Sequence, residues 1–254
     1  MTEPAPRKSD LGVRVLSAVV MVAVAGTALL LGGVWWSSFV SIVAIVCIGE
    51  FVRLIWLGTR NWAARLGGTL AALLYVGLAA HSLGLMPQGI IDHSGADHGS
   101  LIGAMLVLAV VGFVVSTDVG AYFVGRTLGG PKIAPSISPS KTWAGLFGGM
   151  TAAGLWGLAA LYLPQAILGR DQGSVIALSS YQFAAFASGA ALAVVAQAGD
   201  FFESWLKRKA GVKDSSNLLP GHGGVFDRAD GLIPVILVCG LVGDWLIFAS
   251  WVEP

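Results

Sequence analysis

The chain has 254 residues, of which 56% are hydrophobic and 11% are charged, and its formal net charge is +1. Soluble domains usually contain about 25% charged residues, and the mean hydropathy here is +0.78. This composition excludes an ordinary water-soluble fold and predicts an all-α, polytopic bundle of transmembrane helices.

A bilayer core about 30 Å thick needs roughly 20 apolar residues for each spanning helix. Seven windows of this kind are predicted in the chain. They run over Leu11–Leu31, Trp35–Trp56, Leu66–Met86, Leu101–Tyr122, Trp143–Leu163, Phe183–Gly199 and Leu232–Trp251. A re-entrant hairpin or further spans, up to eight or nine in all, stay open on hydropathy alone.

The Lys and Arg residues are distributed unevenly between the two sides of these windows. Fourteen of the fifteen fall on one side, and only Arg170 falls on the other. Because positive charge favours the cytoplasmic side, we predict a cytoplasmic N-terminus and active site in a bacterial-type inner membrane. We divide the chain into a cytoplasmic tail (1–10), N-terminal transmembrane helices (11–115) and a transmembrane catalytic region (116–254). The catalytic region carries cytoplasmic loops at 126–142 and 200–230.

The segment from Thr127 to Thr142 connects the fourth and fifth windows. Its prolines, Pro131, Pro135 and Pro139, recur every four residues and forbid a continuous helix. The segment is rich in Lys, Ser and Thr donors and has no acidic residue, which suits phosphate binding. The alternative is a Pro-rich connector whose charges face water.

Asp118 lies near the cytoplasmic end of the fourth window, just before this segment. An acidic residue at that depth is costly unless it is paired or functional, so it is a candidate site residue. The alternative is a structural pair with Arg126.

The segment from Gly199 to Gly231 is too polar to be a simple connector. Its first part is predicted to be a helix that continues the sixth span and stops near Gly211. The residues on one face of this helix are Asp200, Glu203, Ser204, Lys207 and Arg208. A loop should follow, in which glycines around His222 permit close approach of the backbone to a ligand. His222 itself is either functional or a structural hydrogen-bonding residue.

Asp200, Asp227 and Asp230 lie at the two ends of this segment, beside the membrane. Folding the loop back would bring their carboxylates together, which suits Mg²⁺. The alternative is a network of salt bridges between these carboxylates and the basic residues of the segment, which are Lys207, Arg208, Lys213 and Arg228.

Two motifs in these segments resemble the phosphatidate cytidylyltransferase, or CDP-diglyceride synthetase, family. The first joins Asp118-x-Gly-Ala-Tyr-Phe-x-Gly-Arg126 to Ser138-Pro-x-Lys-Thr142. The second runs from Gly199-Asp200-x-x-Glu203-Ser204 through Lys207-Arg208 and Lys213-Asp214 to His222-Gly-Gly-x-x-Asp227-Arg-x-Asp230. So many polar residues at fixed spacing make the second motif far more specific than a lone glycine motif.

The resemblance implies transfer of CMP from CTP to phosphatidic acid, giving CDP-diacylglycerol and pyrophosphate. We further hypothesise that Asp200 and Asp227 bind Mg²⁺, together with a second divalent or monovalent cation. The catalytic candidates are Asp118, Lys141, Ser204, Lys207, Arg208, Lys213, Asp214, His222, Arg228 and Asp230. The candidates for binding substrate phosphate are Ser138, Lys141, Lys207, Arg208, Lys213 and Arg228.

Two alternative functions compete with cytidylyl transfer to phosphatidic acid. A CTP-dependent enzyme acting on another lipid phosphate or alcohol would keep the same motifs. A transporter would place its ionisable residues near the bilayer midplane on repeated, broken helices, and no such repeat is visible. The expected partners are CTP, phosphatidic acid and the bilayer; no nucleic acid is expected, and the family resemblance allows a homodimer.

Overall fold

The computed structural model of the chain describes residues 11–85, 98–167 and 180–241. This part of the chain is helical apart from one short hairpin. The long helices are α1 (Leu11–Leu31), α2 (Gly33–Gly58), α3 (Trp62–Leu85), α4 (His98–Leu128), α5 (Trp143–Ile167) and α6 (Ser180–Ala210). The short elements are β1 (Lys132–Ala134), β2 (Ser138–Thr142), α7 (Phe226–Ala229) and α8 (Leu232–Leu241).

Six helices, α1 to α6, are long and apolar enough to cross a membrane. They coincide with the first six predicted windows, so the predicted polytopic helical bundle is confirmed. The seventh window begins with α8 and continues into 242–251, outside the described residues. The number of spans therefore stays a prediction.

The helices α4, α5 and α6 pack closely because small residues line their contacts. A Cβ atom at Gly120 of α4 would lie 2.5 Å from the carbonyl oxygen of Gly148 in α5. A Cβ atom at Gly189 of α6 would lie 2.3 Å from the carbonyl oxygen of Ala153. Glycine at these positions lets the helix backbones touch, as is common in membrane bundles.

A second packing centre joins α2 to α3, α6 and α8. Its buried side chains include Phe51 and Leu54 of α2, Val76 of α3 and Val235 of α8. The ring of Phe51 stacks on Phe226 of α7 at 5.1 Å. This contact anchors α7 against α2, so the second packing centre reaches the polar segment that follows α6.

The Pro-rich segment forms an ordered antiparallel hairpin, β1–β2, in which Lys132 pairs with Thr142 and Ala134 with Ser138. The predicted absence of a continuous helix is confirmed. Thr142 then begins α5, because its Oγ1 accepts a hydrogen bond from the amide of Gly145 at 3.0 Å. The end of β2 is thereby held rigidly to α5.

The helix α6 ends where the sequence predicted. Gly211 has a φ of +69°, and the amides of Gly211 and Val212 bond to the carbonyls of Arg208 and Lys207. This is the Schellman arrangement that ends many helices. A loop of residues 211–225, here called the α6–α7 loop, follows. The sequence predicted loop as far as the last span, whereas the single turn of α7 interrupts it.

Every Lys and Arg of the described ranges lies at one end of the bundle. Arg14 begins α1, Arg53 lies near the end of α2, and Arg126 lies in the last turn of α4. The hairpin and the α6–α7 loop occupy the same end, since Arg208 at the end of α6 donates to the carbonyl of Ile137 in the hairpin and Arg53 donates to the carbonyl of Ser215 in the loop. The charged residues are thus concentrated around one polar region.

Candidate active site

A half-open cavity of about 470 Å³ lies between α4, the hairpin, α5 and α6. Its polar lining comes from elements far apart in sequence. Those residues are Asp118, Tyr122, Arg126, Lys132, Ser140, Lys141, Thr142, Gln197 and Asp200. The two segments singled out by the sequence therefore meet at one cavity.

Lys141 and Asp200 form the contact between the two segments. The Nζ of Lys141 lies 2.5 Å from Oδ2 of Asp200, and the side chains are 19% and 35% exposed. Ser204, one turn along α6, donates from Oγ to Oδ1 of Asp200 at 3.3 Å. Such a half-exposed pair adds little to stability. Its consequence is to hold a cation and a carboxylate at the cavity wall, where both remain accessible.

Asp118 is exposed to the same cavity. It lies within electrostatic reach of Asp200 and Lys141. Arg126 instead places its guanidinium over the ring of Tyr122, 5.8 Å from the centroid, and donates to the Tyr122 hydroxyl at 2.9 Å. Among the described residues no ion pair joins Asp118 to Arg126, so the structural alternative for Asp118 is wrong.

An acidic cluster lies beside the cavity. Asp200, Glu203 and Asp230 each offer a carboxylate oxygen, and these three atoms lie within 4.8 Å of one another. Glu203 is 1% exposed, and its Oε1 has no hydrogen-bond partner in the described part of the chain. A buried carboxylate oxygen without a partner is costly. The cluster thus fits a hard cation with oxygen ligands.

Asp230 also shows the effect of this crowding. Burial raises its pKa to about 6, and the charge of Asp200 adds to the rise. The amide of Gly231 donates to Asp230 at 2.9 Å and partly offsets the shift. A carboxyl group with this pKa is mostly ionised at neutral pH, and a proton competes with any cation there at mildly acid pH.

Asp227 is surrounded by hydrogen-bond donors of the protein, whereas the sequence predicted that it faces a cation. Its Oδ1 accepts from Lys207 at 2.8 Å, and its Oδ2 accepts from the amides of Ser215 and Gly224 at 2.9 and 2.7 Å. Burial opposes the charge, but interactions with Glu203 and Lys207 and hydrogen bonds from the amides of Gly224 and Ser215 lower the pKa of Asp227 well below its usual value. Both oxygens of this carboxylate therefore bind donors of the protein itself.

Lys207 links Asp227 to the acidic cluster. Its Nζ lies 2.7 Å from Oε2 of Glu203 and 2.8 Å from Oδ1 of Asp227. The predicted salt-bridge alternative is therefore correct for Lys207 and Asp227, whereas Asp200 and Asp230 approach each other as predicted for a cation site.

The remaining candidates lie around the cavity and outside its described lining. Arg208 donates to the carbonyl of Ile137 in the hairpin turn at 3.4 Å. Arg228 donates twice to the carbonyl of His222, at 3.2 and 2.7 Å. His222 bonds through Nδ1 to Ser17 of α1 at 2.7 Å. Ser138 lies in β2, and Lys213 and Asp214 are exposed in the α6–α7 loop.

The glycines beside His222 approach the protein's own side chains. A Cβ atom at Gly224 would lie 1.9 Å from Oγ of Ser215 and 2.6 Å from Oε2 of Glu50. A Cβ atom at Gly223, whose φ is +84°, would lie 2.8 Å from Oδ2 of Asp227. In this structure the glycine backbone closely approaches carboxylate and hydroxyl groups that fix the loop, and the predicted approach to a ligand stays a prediction.

Sequence reasoning missed Glu50, which is 6% exposed in α2 and bonds to the α6–α7 loop. The available signal was its isolation, because it is the only acidic residue between Asp10 and Asp92. It also missed Gln197, in the cavity wall, and Glu203 as a possible ligand of a cation.

Known proteins share these segments. A family model described as the cytidylyltransferase family matches residues 97–244. A phosphatidate cytidylyltransferase of Brucella suis is 42% identical over 195 residues, which is 77% of this chain and 61% of that protein. A phosphatidate cytidylyltransferase of Pseudomonas aeruginosa is 38% identical over 244 residues, 93% of this chain and 77% of that protein.

The chain spans 61% of the length of the Brucella relatives that it matches. The family match contains the hairpin, the cavity and the acidic cluster, so it covers every predicted site residue. It confirms the resemblance that the two motifs indicated. This chain therefore belongs to the cytidylyltransferase family.

Proposed function

We propose that the chain is a phosphatidate cytidylyltransferase, which transfers CMP from CTP to phosphatidic acid. The observation that carries this proposal is the contact of the basic hairpin with an acidic helix end, through Lys141 and Asp200, at one end of a membrane bundle. A triphosphate with its metal ion needs both kinds of group, cations for its oxygens and carboxylates for the ion. The relatives from Brucella suis and Pseudomonas aeruginosa carry the same activity in their names.

The reaction is one displacement at phosphorus. A phosphate oxygen of phosphatidic acid attacks the α-phosphorus of CTP and forms a new P–O bond. The bond from the α-phosphorus to the oxygen that bridges to the β-phosphorus breaks, and this oxygen leaves with its electron pair in pyrophosphate. The attacking phosphate is already an anion, so catalysis rests on positioning two anions and neutralising their charge.

Lys141 and Lys132 of the hairpin and Arg126 of α4 are the cations that face the cavity. We assign them to the triphosphate, with the hydroxyl of Ser140 as an additional donor. Arg208, Lys213 and Arg228 stay proposed contacts to phosphate from the surrounding loop, with Ser138 in the hairpin. The guanidinium groups keep spare donors, since Arg228 uses its bonds on a single carbonyl.

Asp200, Glu203 and Asp230 are the residues that would hold Mg²⁺. This set replaces the pair of Asp200 and Asp227 expected from the sequence. Both oxygens of Asp227 already accept hydrogen bonds, from Lys207, Ser215 and Gly224. When bound, Mg²⁺ neutralises charge on the phosphates and polarises the α-phosphorus. Asp118 is a further carboxylate in the cavity for the second divalent or monovalent cation.

Asp227 and Lys207 then act as a pair that orients the cluster. Asp227 holds Lys207 against Glu203 and keeps the ammonium group beside the acidic residues. Ser204 supports Asp200 from the same helix. Asp214 and His222 lie farther out, and we assign them to shaping the loop.

The lipid substrate accounts for the position of the site at the ends of the helices. Acyl chains can stay in the bilayer while the head group reaches the cavity beside Tyr122 and Arg126. We also propose that this end faces the cytoplasm of a bacterial-type inner membrane, because it carries every described Lys and Arg.

The test is pyrophosphate release by the purified full chain in lipid nanodiscs with CTP, phosphatidic acid and Mg²⁺. We expect release that requires both substrates. Release with diacylglycerol or a polyprenyl phosphate, and none with phosphatidic acid, would show the alternative function on another lipid acceptor. A folded protein that releases pyrophosphate with none of these lipids would refute the proposal.

A further inference from the structure

Glu50 is a buried carboxylate in the last third of α2, and it accepts four hydrogen bonds from the polar segment after α6. Its Oε2 accepts from the hydroxyl of Ser215 at 3.0 Å and from the amide of Phe226 at 2.7 Å. Its Oε1 accepts from the hydroxyl of Ser216 at 2.5 Å and from the amide of Val225 at 3.2 Å. Two of the donors, Ser215 and Ser216, lie in the first half of the α6–α7 loop, and the other two, Val225 and Phe226, lie where the loop meets α7.

We propose that Glu50 is the positioning residue that sets the α6–α7 loop, and with it Asp227 and Asp230, against α6. The inference rests on the proposed function for its effect on the reaction. It does not place Glu50 in contact with substrate, since Glu50 lies outside the described lining of the cavity.

The donors around Glu50 match its carboxylate. A buried carboxylate is costly unless its oxygens are fully hydrogen-bonded, and here each oxygen takes one hydroxyl and one amide. A glutamine of the same shape would turn an NH₂ group towards one of the two amides. That amide could not rotate away, so the loop would have to move.

A continuous set of contacts runs from α2 to the acidic cluster. Ser215 is fully buried, and its Oγ lies 3.0 Å from both Oε2 of Glu50 and Oδ2 of Asp227, so its single hydroxyl proton is shared between the two carboxylates. Asp227 contacts Lys207, and Lys207 contacts Glu203 of the cluster. Displacing Ser215 would therefore displace the carboxylates that face Asp200.

Two further contacts beside Glu50 join α2 to the polar segment that follows α6. Arg53, one turn beyond Glu50, donates to the carbonyl of Ser215. Phe51, next to Glu50, stacks on Phe226. Glu50 is thus the polar centre of a docking surface on α2 that receives the loop at three points.

The experiment compares Glu50→Gln with Cys47→Ala in the full chain in nanodiscs. Cys47 lies one turn earlier in α2 and is 1% exposed, and its truncation disturbs the same helix without removing a donor or acceptor of the loop. The first readout is amide hydrogen exchange of residues 213–226, which needs no activity. The second is the Mg²⁺ concentration that gives half-maximal pyrophosphate release.

For Glu50→Gln we expect loop exchange about tenfold faster and a half-maximal Mg²⁺ concentration raised by about tenfold. Cys47→Ala should leave both close to wild type. A Glu50→Gln protein with wild-type exchange in the loop would overturn the proposal. A loss of activity with unchanged exchange and unchanged Mg²⁺ dependence would also overturn it, because that pattern means only fewer folded molecules.

Ser216→Ala is the second variant, for the case in which Glu50→Gln fails to fold. It removes one of the four donors and keeps the carboxylate, so both readouts should shift in the same direction by about two- to threefold. No shift in Ser216→Ala would then count against the proposal. If the wild type proves inactive with CTP and phosphatidic acid, the proposed function fails, and the exchange readout still decides the role of Glu50.

Discussion

The two polar regions of the molecule use their charged residues in opposite ways. Around the cavity, Asp118, Lys132 and Lys141 are at least partly exposed and line its open volume. Beside the α6–α7 loop, Asp227 of α7 and Glu50 of α2 have buried side chains, and both oxygens of each carboxylate accept hydrogen bonds. Charged groups that remain accessible can bind substrate, whereas charged groups whose hydrogen bonds are all made within the protein stabilise the structure. The motif residues therefore fall into two groups, those that can bind substrate and those that stabilise the structure, although the sequence does not distinguish them.

The largest effect should come from the cavity side, at Asp200. Asp200→Asn keeps the size of the side chain but removes the charge that meets Lys141 at 2.5 Å and that contributes to the acidic cluster. We expect pyrophosphate release to fall by about a thousandfold or more. Thermal unfolding in nanodiscs should stay within a few degrees of wild type, since the pair is half-exposed. Activity above a tenth of wild type would remove Asp200 from the site.

The next effect should come from the loop side, at Gly224. Gly224→Ala places a Cβ atom 1.9 Å from Oγ of Ser215, so the loop must shift. We expect activity to fall by about a hundredfold together with a clear loss of thermal stability. The matched control is Gly49→Ala in α2, where a Cβ atom meets nothing within 4 Å. An active and stable Gly224→Ala protein would contradict the close approach of loop and α2.

The pH dependence tests the crowding of the acidic cluster. The pKa of Asp230 is raised to about 6, so the protonated form, which cannot bind a cation, gains population as the pH falls through that value. We expect the half-maximal Mg²⁺ concentration to rise by about tenfold between pH 7.5 and pH 5. The measurement is a Mg²⁺ titration of pyrophosphate release at each pH. A constant half-maximal concentration would mean that Asp230 does not hold the ion.

The smallest effect should come from His222, although its motif position suggests catalysis. Its Nδ1 bonds to Ser17 of α1 and its carbonyl accepts from Arg228, so it ties the loop to the first helix. His222→Ala should lower activity by only about two- to fivefold, with a modest rise in the KM for CTP. The steady-state rate at saturating CTP is the measurement. A hundredfold loss in that rate would instead make His222 a catalytic residue.

Much of the fold followed from the sequence because its signals are local. Apolar length predicted the six described spans, three prolines predicted the break before α5, and Gly211 predicted the end of α6. The hairpin strands were not predicted, because Ser-Pro-Ser-Lys-Thr has neither strand alternation nor β-branched residues apart from Thr142. The pairing of β1 with β2 instead depends on how α4 and α5 position the two ends of the hairpin segment.

The site followed from the sequence only in part. The approach of Asp200 to Asp230 was predictable, since both lie beside the membrane at the ends of one segment. The partners of Asp227 were not, because they depend on the path of the loop past Ser215 and Gly224. The role of Glu50 could not be predicted, because its predicted span is otherwise apolar and its hydrogen-bond partners are 165 residues or more away along the chain.

Transfer of label from CTP into lipid tests directly whether the cavity catalyses cytidylyl transfer. With CTP labelled at the α-phosphate, phosphatidic acid and Mg²⁺, we expect label in a lipid-soluble CDP-diacylglycerol, equal in amount to the pyrophosphate released and absent with Asp200→Asn. With CTP labelled at the γ-phosphate, the label should stay in pyrophosphate. Transfer of the γ-label to lipid, or α-label in lipid with the Asp200→Asn protein, would contradict cytidylyl transfer at this site.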